Sequence, residues 1–587
     1  MRRLTEHFPW LAKAGDAESA AATAKAQGLF DEEPALTAIK LAARLEGLPR
    51  HAKMHPCGLV LSRRPIHDFT PTFQSNKGWP TTHFDMNAVE DVGLVKLDIL
   101  AQGGLSVLRD ARAELASRDI EVSSSFAGPW NDNSVWEMIA TGNARGVHHI
   151  ESPAMTNLAK MCNCRDIDSL VAIVSVIRPG AANTLRKSTF ARRALGLEKP
   201  EYPHPSLEPV LRSTHGVIAY EEHILQIAEA FAAMPPGRAD ILRRALVKMR
   251  DAEVEKMRLE FEECAHRKGR SEAETAAVWA LVHMFRGYAF CRAHSTAYAL
   301  EAWQAACLKK HHPAEFLASV LTHGKGFYSR LLYSLECRRL GIGFLPPDVN
   351  ASRGRFFVEG KNLIRVPLEM ISGFPEALLK RISIELQQGP FKSLEDFFAR
   401  TSAGEASMHL LLRAGALDSL IGSRTEAVWT IRQLAQNGNS MFTTTQKHEC
   451  TRATPLLERL RDELDLLGFT VSSHPLDLWA EVAWDTYCPV SCLGEYIGQR
   501  VTLCGLVVAD RTHHQSNGEL MKFMTLCDRS GLIETEMFAR AFARFGLETI
   551  RHPVLEVTGT VMPFEGASGH TLRVEMVHQP RKKRTSA

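Results

Sequence analysis

The hydrophobic period of this chain changes along its length, and that change limits the folds it can adopt. Between residues 105 and 321 the apolar residues recur with helical spacing. Beyond Arg500 they alternate instead, in short runs such as 501–508 and 555–560. Helical spacing is typical of packed helices, whereas regularly spaced alternating runs are typical of a small all-β barrel. We therefore predict a multidomain α+β protein that ends in an all-β domain, which we interpret as an OB-fold.

Composition excludes several classes of function. The 587 residues are enough for three or four domains. The formal net charge is only +3, so only local clusters of cations argue for nucleic acid. No apolar run approaches the roughly 20 residues that span a bilayer. Twelve cysteines without a signal peptide are typical of a reducing compartment, and we expect a cytoplasmic protein without a membrane anchor.

Two cysteine pairs could each supply two zinc ligands. Cys162 and Cys164 form one pair, and Cys488 and Cys492 form the other. Neither has a second pair at the spacing of a finger or a ribbon, so we interpret all four as structural.

One short apolar run carries two opposite charges. Residues 93–100 predict a buried strand in which Lys96 and Asp98, two positions apart, point to the same face. Burying both charges is costly unless they serve a site, and a carboxylate with a cation beside it suits metal-bound phosphates. On these residues alone, a structural salt bridge is the simpler interpretation.

A predicted helix carries three cations close together. Arg244 and Lys248 are four residues apart and share a face, with Arg243 beside them. With no acidic residue among them, the three cations predict an anion site, and the arginine fork suits phosphate. For this stretch in isolation, a solvated basic face is the alternative.

The three motifs together closely resemble the bacterial DNA polymerase III alpha-subunit family, the C-family polymerases. They are Gly-Leu-Val-Lys-Leu-Asp at 93–98, Arg-Arg-x-x-x-Lys at 243–248, and Gly-Tyr-Ala-Phe-Cys-Arg-Ala-His-Ser at 287–295. The resemblance covers almost the whole chain and is closest to the error-prone, mutagenesis-associated branch. It implies a DNA-directed DNA polymerase that uses Mg²⁺ to extend a primer 3′ end, in replication or in damage-induced translesion synthesis.

The resemblance also implies roles for individual residues. Asp98 would bind the catalytic metal with Lys96 beside it, while Arg243, Arg244 and Lys248 would hold the triphosphate. The residues implied at the nucleotide pocket are Arg178, Gln226, Tyr288, Arg292, His294 and Ser295. Two departures from the family pattern stand out. Val247 and Met249 replace a glycine and a lysine, and Pro56 and Cys57 interrupt a His-x-Gly-Gly turn.

A domain order follows from the same resemblance. It comprises thumb-like helices at 1–53, a partial palm at 54–104, fingers at 105–328, a helix-hairpin-helix domain at 329–435, a linker at 436–495, an OB-fold at 496–580 and a basic tail at 581–587. Gly373 would lie in the hairpin that offers amides to a DNA phosphate, with a plain helix–turn–helix connection as the alternative. Phe523 and Phe538 are candidates for stacking on single-stranded template, although either could belong to the core. The Asp166-Ile167-Asp168 segment is interpreted as a helix cap and not as metal ligands.

The resemblance leaves one expectation about completeness. In the family two further metal-binding aspartates lie upstream in a Pro-Asp-x-Asp motif, which this sequence lacks together with the phosphoesterase-like domain. We therefore expect an incomplete metal site, because nucleotidyl transfer uses two ions. Three interpretations stay open: a split polymerase whose palm is completed by a separate chain, a truncated inactive relative, or a DNA-binding module. The implied partners are primer–template DNA, deoxynucleoside triphosphates, a sliding clamp and accessory mutagenesis proteins.

Overall fold

A computed structural model describes most of the chain, in two compact units that comprise residues 1–103 and 104–587. The described residues are 37, 41, 44, 48, 54–55, 57–99, 102–122, 128, 130–177, 183–285, 290–351, 353–437, 455–515, 519–564 and 569–583. Most of the predicted thumb helices at 1–53 lie outside these residues, as do Arg178 and Tyr288. No helix within the described ranges is both long enough and apolar enough to cross a membrane.

From residue 57 to residue 99 the first unit holds two small antiparallel sheets and an α-helix between them in sequence. Its elements are β1 (Gly58–Leu61), β2 (Thr72–Gln74), β3 (Pro80–Thr82), α1 (Met86–Asp91) and β4 (Val95–Asp98). Strand β1 pairs with β4, so that Gly58 lies opposite Asp98, and β2 pairs with β3. Helix α1 begins where Asp85 accepts a hydrogen bond from the backbone N–H of Ala88.

The sequence predicted that β4 is buried, but its apolar side chains are exposed. Val95 is 56% exposed and Leu97 is 46% exposed, and their partners Leu61 and Leu59 on β1 are equally open. A two-stranded sheet has two faces, and among the described residues nothing covers the apolar one. Lys96 lies on the opposite face, where its side chain is only 16% exposed.

The second unit starts with a large helical part. Its helices are α2 (Gly103–Ala116), α3 (Asn133–Ala140), α4 (Pro153–Met161), α5 (Ile167–Val176), α6 (Asn183–Ala194), α7 (Glu208–Leu211), α8 (Glu221–Ala232), α9 (Pro236–Val247), α10 (Asp251–Arg267), α11 (Glu272–His283), α12 (Arg292–His311), α13 (Pro313–His323) and α14 (Arg330–Arg339). Several begin at polar caps, such as the reciprocal pair of Ser271 and Glu274 at the start of α11.

Two apolar cores hold these helices. The larger is centred on α12, where the fully buried Trp303 packs against Trp136 of α3 with 6.2 Å between ring centroids. The smaller lies among α8 to α11, where the rings of Phe231 and Phe261 stack at 5.9 Å. Together these cores determine how α8, α9 and the start of α12 face one another.

In the described residues between 343 and 467, a three-stranded sheet and five α-helices follow. They are β5 (Gly343–Leu345), β6 (Phe357–Glu359), β7 (Leu363–Arg365), α15 (Glu376–Glu385), α16 (Leu394–Thr401), α17 (Glu405–Ala414), α18 (Arg424–Asn437) and α19 (Leu456–Leu467). The first helix of the predicted hairpin is only a 3₁₀ turn at Leu368–Met370, after which Gly373 adopts φ +76° and α15 begins. Helix α19 lies inside the predicted linker, and its residues Leu460 and Leu467 are buried. The polar tract that suggested a linker ends before Leu456, so the residues of α19 are apolar enough to pack.

The C-terminal part is a closed five-stranded barrel. Its elements are β8 (Arg500–His514), β9 (Leu520–Cys527), β10 (Leu532–Met537), α20 (Ala539–Phe545), α21 (Glu548–Arg551), β11 (Val554–Pro563) and β12 (His570–His578). The strands follow the order β10-β12-β11-β8-β9, with β10 and β12 parallel and the other pairs antiparallel. The all-β barrel that the alternating period predicted is thereby confirmed.

Candidate functional site

Asp98 and Lys96 form a close ion pair at the end of β4. The Nζ atom of Lys96 donates to Oδ2 of Asp98 at 2.8 Å. This hydrogen bond, more than any other interaction, holds the pKa of Asp98 below its ordinary value. The prediction that the two side chains share one face is therefore confirmed. The second carboxylate oxygen, Oδ1, points away from Lys96 towards the residues before β1.

Two residues that the sequence analysis did not assign lie beside Asp98. His55 Nδ1 is 3.9 Å from Oδ1 of Asp98, and Cys57 Sγ is 3.8 Å from the same oxygen. Partial removal from water, followed by the Asp98 carboxylate, raises the pKa of the Cys57 thiol. Within the described residues, these three side chains are the only group of potential metal ligands whose donor atoms all lie within 4.8 Å of one another.

This donor set does not fit a magnesium site. Mg²⁺ requires six oxygen ligands and binds proteins through carboxylates. Here one carboxylate oxygen faces an imidazole and a thiol, while Lys96 holds the other oxygen. The described residues alone therefore do not assemble the two-ion centre of nucleotidyl transfer.

In the second unit, the start of α8 joins two cation-bearing segments. Glu221 forms an ion pair with Arg243 of α9. The carboxylate of Glu222 accepts the backbone N–H of Arg292 at 2.9 and 3.0 Å, at the start of α12. Tyr220, next to both acids, lies beneath the Arg292 guanidinium at 5.7 Å. The two adjacent glutamates thus bring together Arg243 and Arg292, which are far apart in sequence.

The three predicted triphosphate ligands differ in exposure. Arg243 is only 21% exposed and is held by Glu221 and by Asp240, the latter at 2.8 Å. Arg244 is 67% exposed and also reaches Asp240 at 2.8 Å. Asp240 lies three residues before Arg243 and four before Arg244. This spacing could have predicted both ion pairs from the sequence, but the sequence analysis did not predict them. Hydrogen bonding to Arg243 contributes most to keeping the pKa of Asp240 below its ordinary value.

Arg244 and Lys248 border an open depression between the end of α9 and the start of α10. Its volume is about 280 Å³, and Arg250 contributes a third cation. The remaining lining residues are Ile241 and Glu253. The excess of positive charge here suits an anion of the size of a phosphate group.

The predicted pocket residues of the 287–298 segment separate into two groups. Arg292 is 52% exposed and lies 3.5 Å from Asp168, and the His294 ring stacks on Phe290 at 5.0 Å. Burial, followed by the charge of a neighbouring histidine, lowers the pKa of His294. Ser295 is fully buried, and its hydroxyl bonds Ser175 at 2.5 Å. Ser295 therefore ties α12 to α5 and does not face the open surface.

Two further positions named in the sequence analysis lie on α8 and at the start of α5. Gln226 is exposed on α8, one turn after Glu222. Asp166 caps α5 by accepting the backbone N–H of Ser169 at 2.8 Å, which confirms the cap prediction.

His149, which the sequence analysis did not assign to the site, lies next to this segment. The His149 ring stacks on Tyr298 at 4.0 Å, and Tyr298 also contacts the His294 ring at 4.0 Å. Nε2 of His149 lies 3.1 Å from Oε1 of Glu301. His149 has φ +70°, a left-handed conformation that is uncommon for any residue except glycine. Such backbone strain persists only where surrounding contacts enforce it.

The barrel carries a cross-strand row of aromatic and charged side chains. Arg511 of β8 lies opposite Phe523 of β9, which lies opposite Glu536 of β10, which in turn lies opposite Arg573 of β12. The guanidinium of Arg573 is 5.3 Å from the ring of Phe538, which is 38% exposed. Both predicted stacking residues thus reach the outside of the barrel beside arginines.

Three family models match parts of this chain. Residues 104–269 match the bacterial DNA polymerase III alpha subunit finger domain. Residues 1–101 match the bacterial DNA polymerase III alpha NTPase domain, and residues 341–427 match a helix-hairpin-helix motif. The resemblance inferred from the three sequence motifs is therefore confirmed.

Curated relatives carry the same names. DNA polymerase III subunit alpha of Aquifex aeolicus is 31% identical over 88% of this chain and 45% of its own length. That of Haemophilus influenzae is 31% identical over 98% of this chain and 52% of its own length. An error-prone DNA polymerase of Symbiobacterium thermophilum is 30% identical over 89% of this chain and 53% of its own length. The chain spans about half the length of these relatives.

Proposed function

We propose, on the premise that this chain belongs to the bacterial DNA polymerase III alpha subunit family, that it takes part in DNA-directed DNA synthesis. The reaction is template-directed nucleotidyl transfer to a primer 3′ end. The observation that carries this proposal is the cluster at the start of α8, where Glu221 pairs with Arg243 of α9 and Glu222 accepts the backbone N–H of Arg292 at the start of α12. Both glutamates lie within the range that matches the finger domain.

Nucleotide binding is assigned to two neighbouring surfaces. The exposed Arg244 and Lys248, with Arg250, surround the depression between α9 and α10 and suit a triphosphate. Arg292 and the His294 ring at the start of α12 suit the base and sugar. Arg243 acts as a positioning residue, because its guanidinium is engaged by Glu221 and Asp240.

Template binding is assigned to two other features. The exposed turn at Gly373 precedes α15 and offers backbone N–H groups to a DNA phosphate without reading sequence. The barrel has the five strands of an OB-fold, a fold that binds oligonucleotides on its strands and by base stacking. The row from Arg511 to Arg573, with Phe523 and Phe538 beside it, supports that assignment.

The biological setting follows from the relatives and forms part of the proposal. The error-prone relative favours translesion synthesis after DNA damage beside replication. A cytoplasmic location, a sliding clamp and accessory mutagenesis proteins belong to the same setting. Mg²⁺ would neutralise the developing charge of the reaction, but the described residues around Asp98 do not fit it, so the remaining ligands must come from elsewhere.

A second candidate function is DNA and nucleotide binding without turnover, or turnover only with a separate chain that completes the palm. The observation that favours it is the ion pair at β4, where Lys96 holds one oxygen of Asp98 and no second carboxylate joins the group within the described residues.

Primer extension with Mg²⁺ and all four deoxynucleotides separates the two functions. Extension that is lost in Asp98→Ala and kept in Asp91→Ala, an exposed carboxylate on α1, supports polymerisation. No extension with intact primer–template binding supports the second function.

Nucleotide affinity tests the α9 surface separately. The double variant Arg244→Ala/Lys248→Ala should weaken triphosphate binding by at least about 10-fold, because each charge-assisted hydrogen bond contributes about 1.5–3 kcal/mol. Arg212→Ala, which removes an exposed arginine that pairs only with Glu208 among the described residues, is the matched control. Equal affinity of the double variant and the control would contradict the assignment.

A further inference from the structure

His55, Cys57 and Asp98 form a small triangle of donor atoms of three different kinds. Nδ1 of His55 is 3.4 Å from Sγ of Cys57 and 3.9 Å from Oδ1 of Asp98, and the remaining edge measures 3.8 Å. A tetrahedral zinc ion with bonds of about 2.0–2.3 Å has edges of about 3.3–3.6 Å between ligand atoms. The three atoms are therefore nearly at the separations that one such ion requires, without any movement of β1 or β4.

The hydrogen bonding of the imidazole also suits a metal. The backbone N–H of Gly58 donates to Nδ1 of His55 at 3.0 Å, so Nδ1 is an acceptor in this contact. Nδ1 is the nitrogen that faces Cys57 and Asp98. Coordination would replace the Gly58 hydrogen bond, and the Cys57 thiol would release its proton to water.

Gly58 lies beside the triangle and carries no side chain that would crowd it. A Cβ atom added to Gly58 would lie 3.1 Å from Nδ1 of His55 and 3.6 Å from Oδ1 of Asp98. The same atom would lie 3.3 Å from Cε of Lys96, whose ammonium holds the other oxygen of Asp98. The carboxylate can thus bind Lys96 with one oxygen and a metal with the other.

We propose that His55, Cys57 and Asp98 bind one zinc-class cation, with the fourth position left to water. An imidazole, a thiolate and a single carboxylate select a borderline ion such as Zn²⁺ or Co²⁺ over Mg²⁺ or Ca²⁺. This site goes beyond the proposed polymerase function and does not depend on it. Because the ion takes Oδ1 of Asp98, it competes with any metal that Asp98 serves in nucleotidyl transfer.

Titration of the reduced full-length chain with Co²⁺ tests the site. We expect one bound Co²⁺ with a thiolate-to-metal charge-transfer band and the visible bands of tetrahedral coordination. One equivalent of Zn²⁺ should displace it, and excess Mg²⁺ should not. Cys57→Ser should abolish the charge-transfer band. His55→Ala and Asp98→Asn should weaken binding by more than about 100-fold, since loss of even an outer partner of a ligand costs about 10–100-fold.

Two further variants identify the location of the ion. Gly58→Ala keeps all three ligands and adds a methyl group 3.1 Å from Nδ1 of His55, so it should weaken Co²⁺ binding by crowding the ligands. Cys488→Ser/Cys492→Ser changes two other partly exposed cysteines and should leave binding unchanged. No charge-transfer band in the folded chain, or a band that persists in Cys57→Ser, would overturn the proposal. Binding by Gly58→Ala as tight as that of the unmodified chain would also overturn it. Circular dichroism verifies that each variant is folded.

Discussion

The buried ammonium of Lys309 offers a sharp test of how the helical core is held. The side chain of Lys309, in α12, is 1% exposed, and that of its partner Glu336, in α14, is fully buried. Its Nζ donates to Oε1 of Glu336 at 2.7 Å and to the backbone carbonyls of Asn143 and Arg145 at 2.8 and 2.7 Å. Lys309 and Arg339 together hold the pKa of Glu336 below its ordinary value, although burial acts to raise it.

Lys309→Met removes one charge of this pair and leaves the other buried. Loss of one partner of a buried ion pair costs about 3–5 kcal/mol of folding free energy. Two carbonyls also lose their donor, whereas Arg339 still donates to Glu336 at 2.7 and 2.8 Å. Because this remaining partner limits the damage, we expect a loss of about 3 kcal/mol, near the lower end of that range.

Urea unfolding followed by circular dichroism measures this loss. Lys310→Met changes the adjacent, exposed lysine of α12 and should alter stability by less than about 0.5 kcal/mol. Lys309→Met/Glu336→Leu removes both charges of the pair. Arg339 also loses Glu336, but its side chain is 36% exposed to water, so the double variant should still be more stable than Lys309→Met alone. A loss below about 1 kcal/mol in Lys309→Met would refute the reasoning, as would a double variant less stable than the single one.

Three further changes test other parts of the molecule. Asp132 caps α3 and lies 2.8 Å from His311, and its pKa is lowered to about 2 although burial acts to raise it. Because the folded pKa lies below the ordinary value of 3.8, this stabilisation is complete above about pH 5 and is lost as the pH falls towards 2. In thermal melts Asp132→Ala should lose about 1 kcal/mol at neutral pH and show a weaker acid dependence than the unmodified chain. Phe523→Ala should weaken oligonucleotide binding by about 1–3 kcal/mol in fluorescence anisotropy, with the exposed Phe327→Ala as control, and equal affinities would exclude stacking. Gly373→Ala, at φ +76°, should reduce duplex binding without changing nucleotide affinity, and unchanged duplex binding would exclude that turn from the interface.

Local patterns predicted the elements that depend on neighbours in sequence. The alternating period beyond Arg500 correctly predicted the barrel, because alternation places every second side chain inside. The spacing of Lys96 and Asp98 correctly predicted that both share one face of a strand. The cap at Asp166 was also predicted, because a side-chain oxygen reaches a backbone N–H only three residues away.

Exposure and long-range pairing were not predictable in the same way. The apolar residues of β4 favoured a buried strand, but what covers a two-stranded sheet is not encoded in the strand itself. Ser295 follows the exposed Arg292 and the partly exposed His294 in its motif, yet it is buried against Ser175 of α5. The resemblance implied a pocket role for Ser295. Its burial results instead from a contact with a residue 120 positions away, which the motif itself does not reveal.

The sequence by itself determined where helices and strands form and which motifs carry charge, because hydrophobic period, caps and short spacings act over a few residues. Only the tertiary structure decided which charges remain free. Glu221 engages Arg243 over 22 positions and Glu222 reaches Arg292 over 70. Cys57 meets Asp98 over 41 positions through the pairing of β1 with β4. Such contacts arise because packing brings distant segments together, and the same side chain serves as ligand or structural partner according to its neighbours.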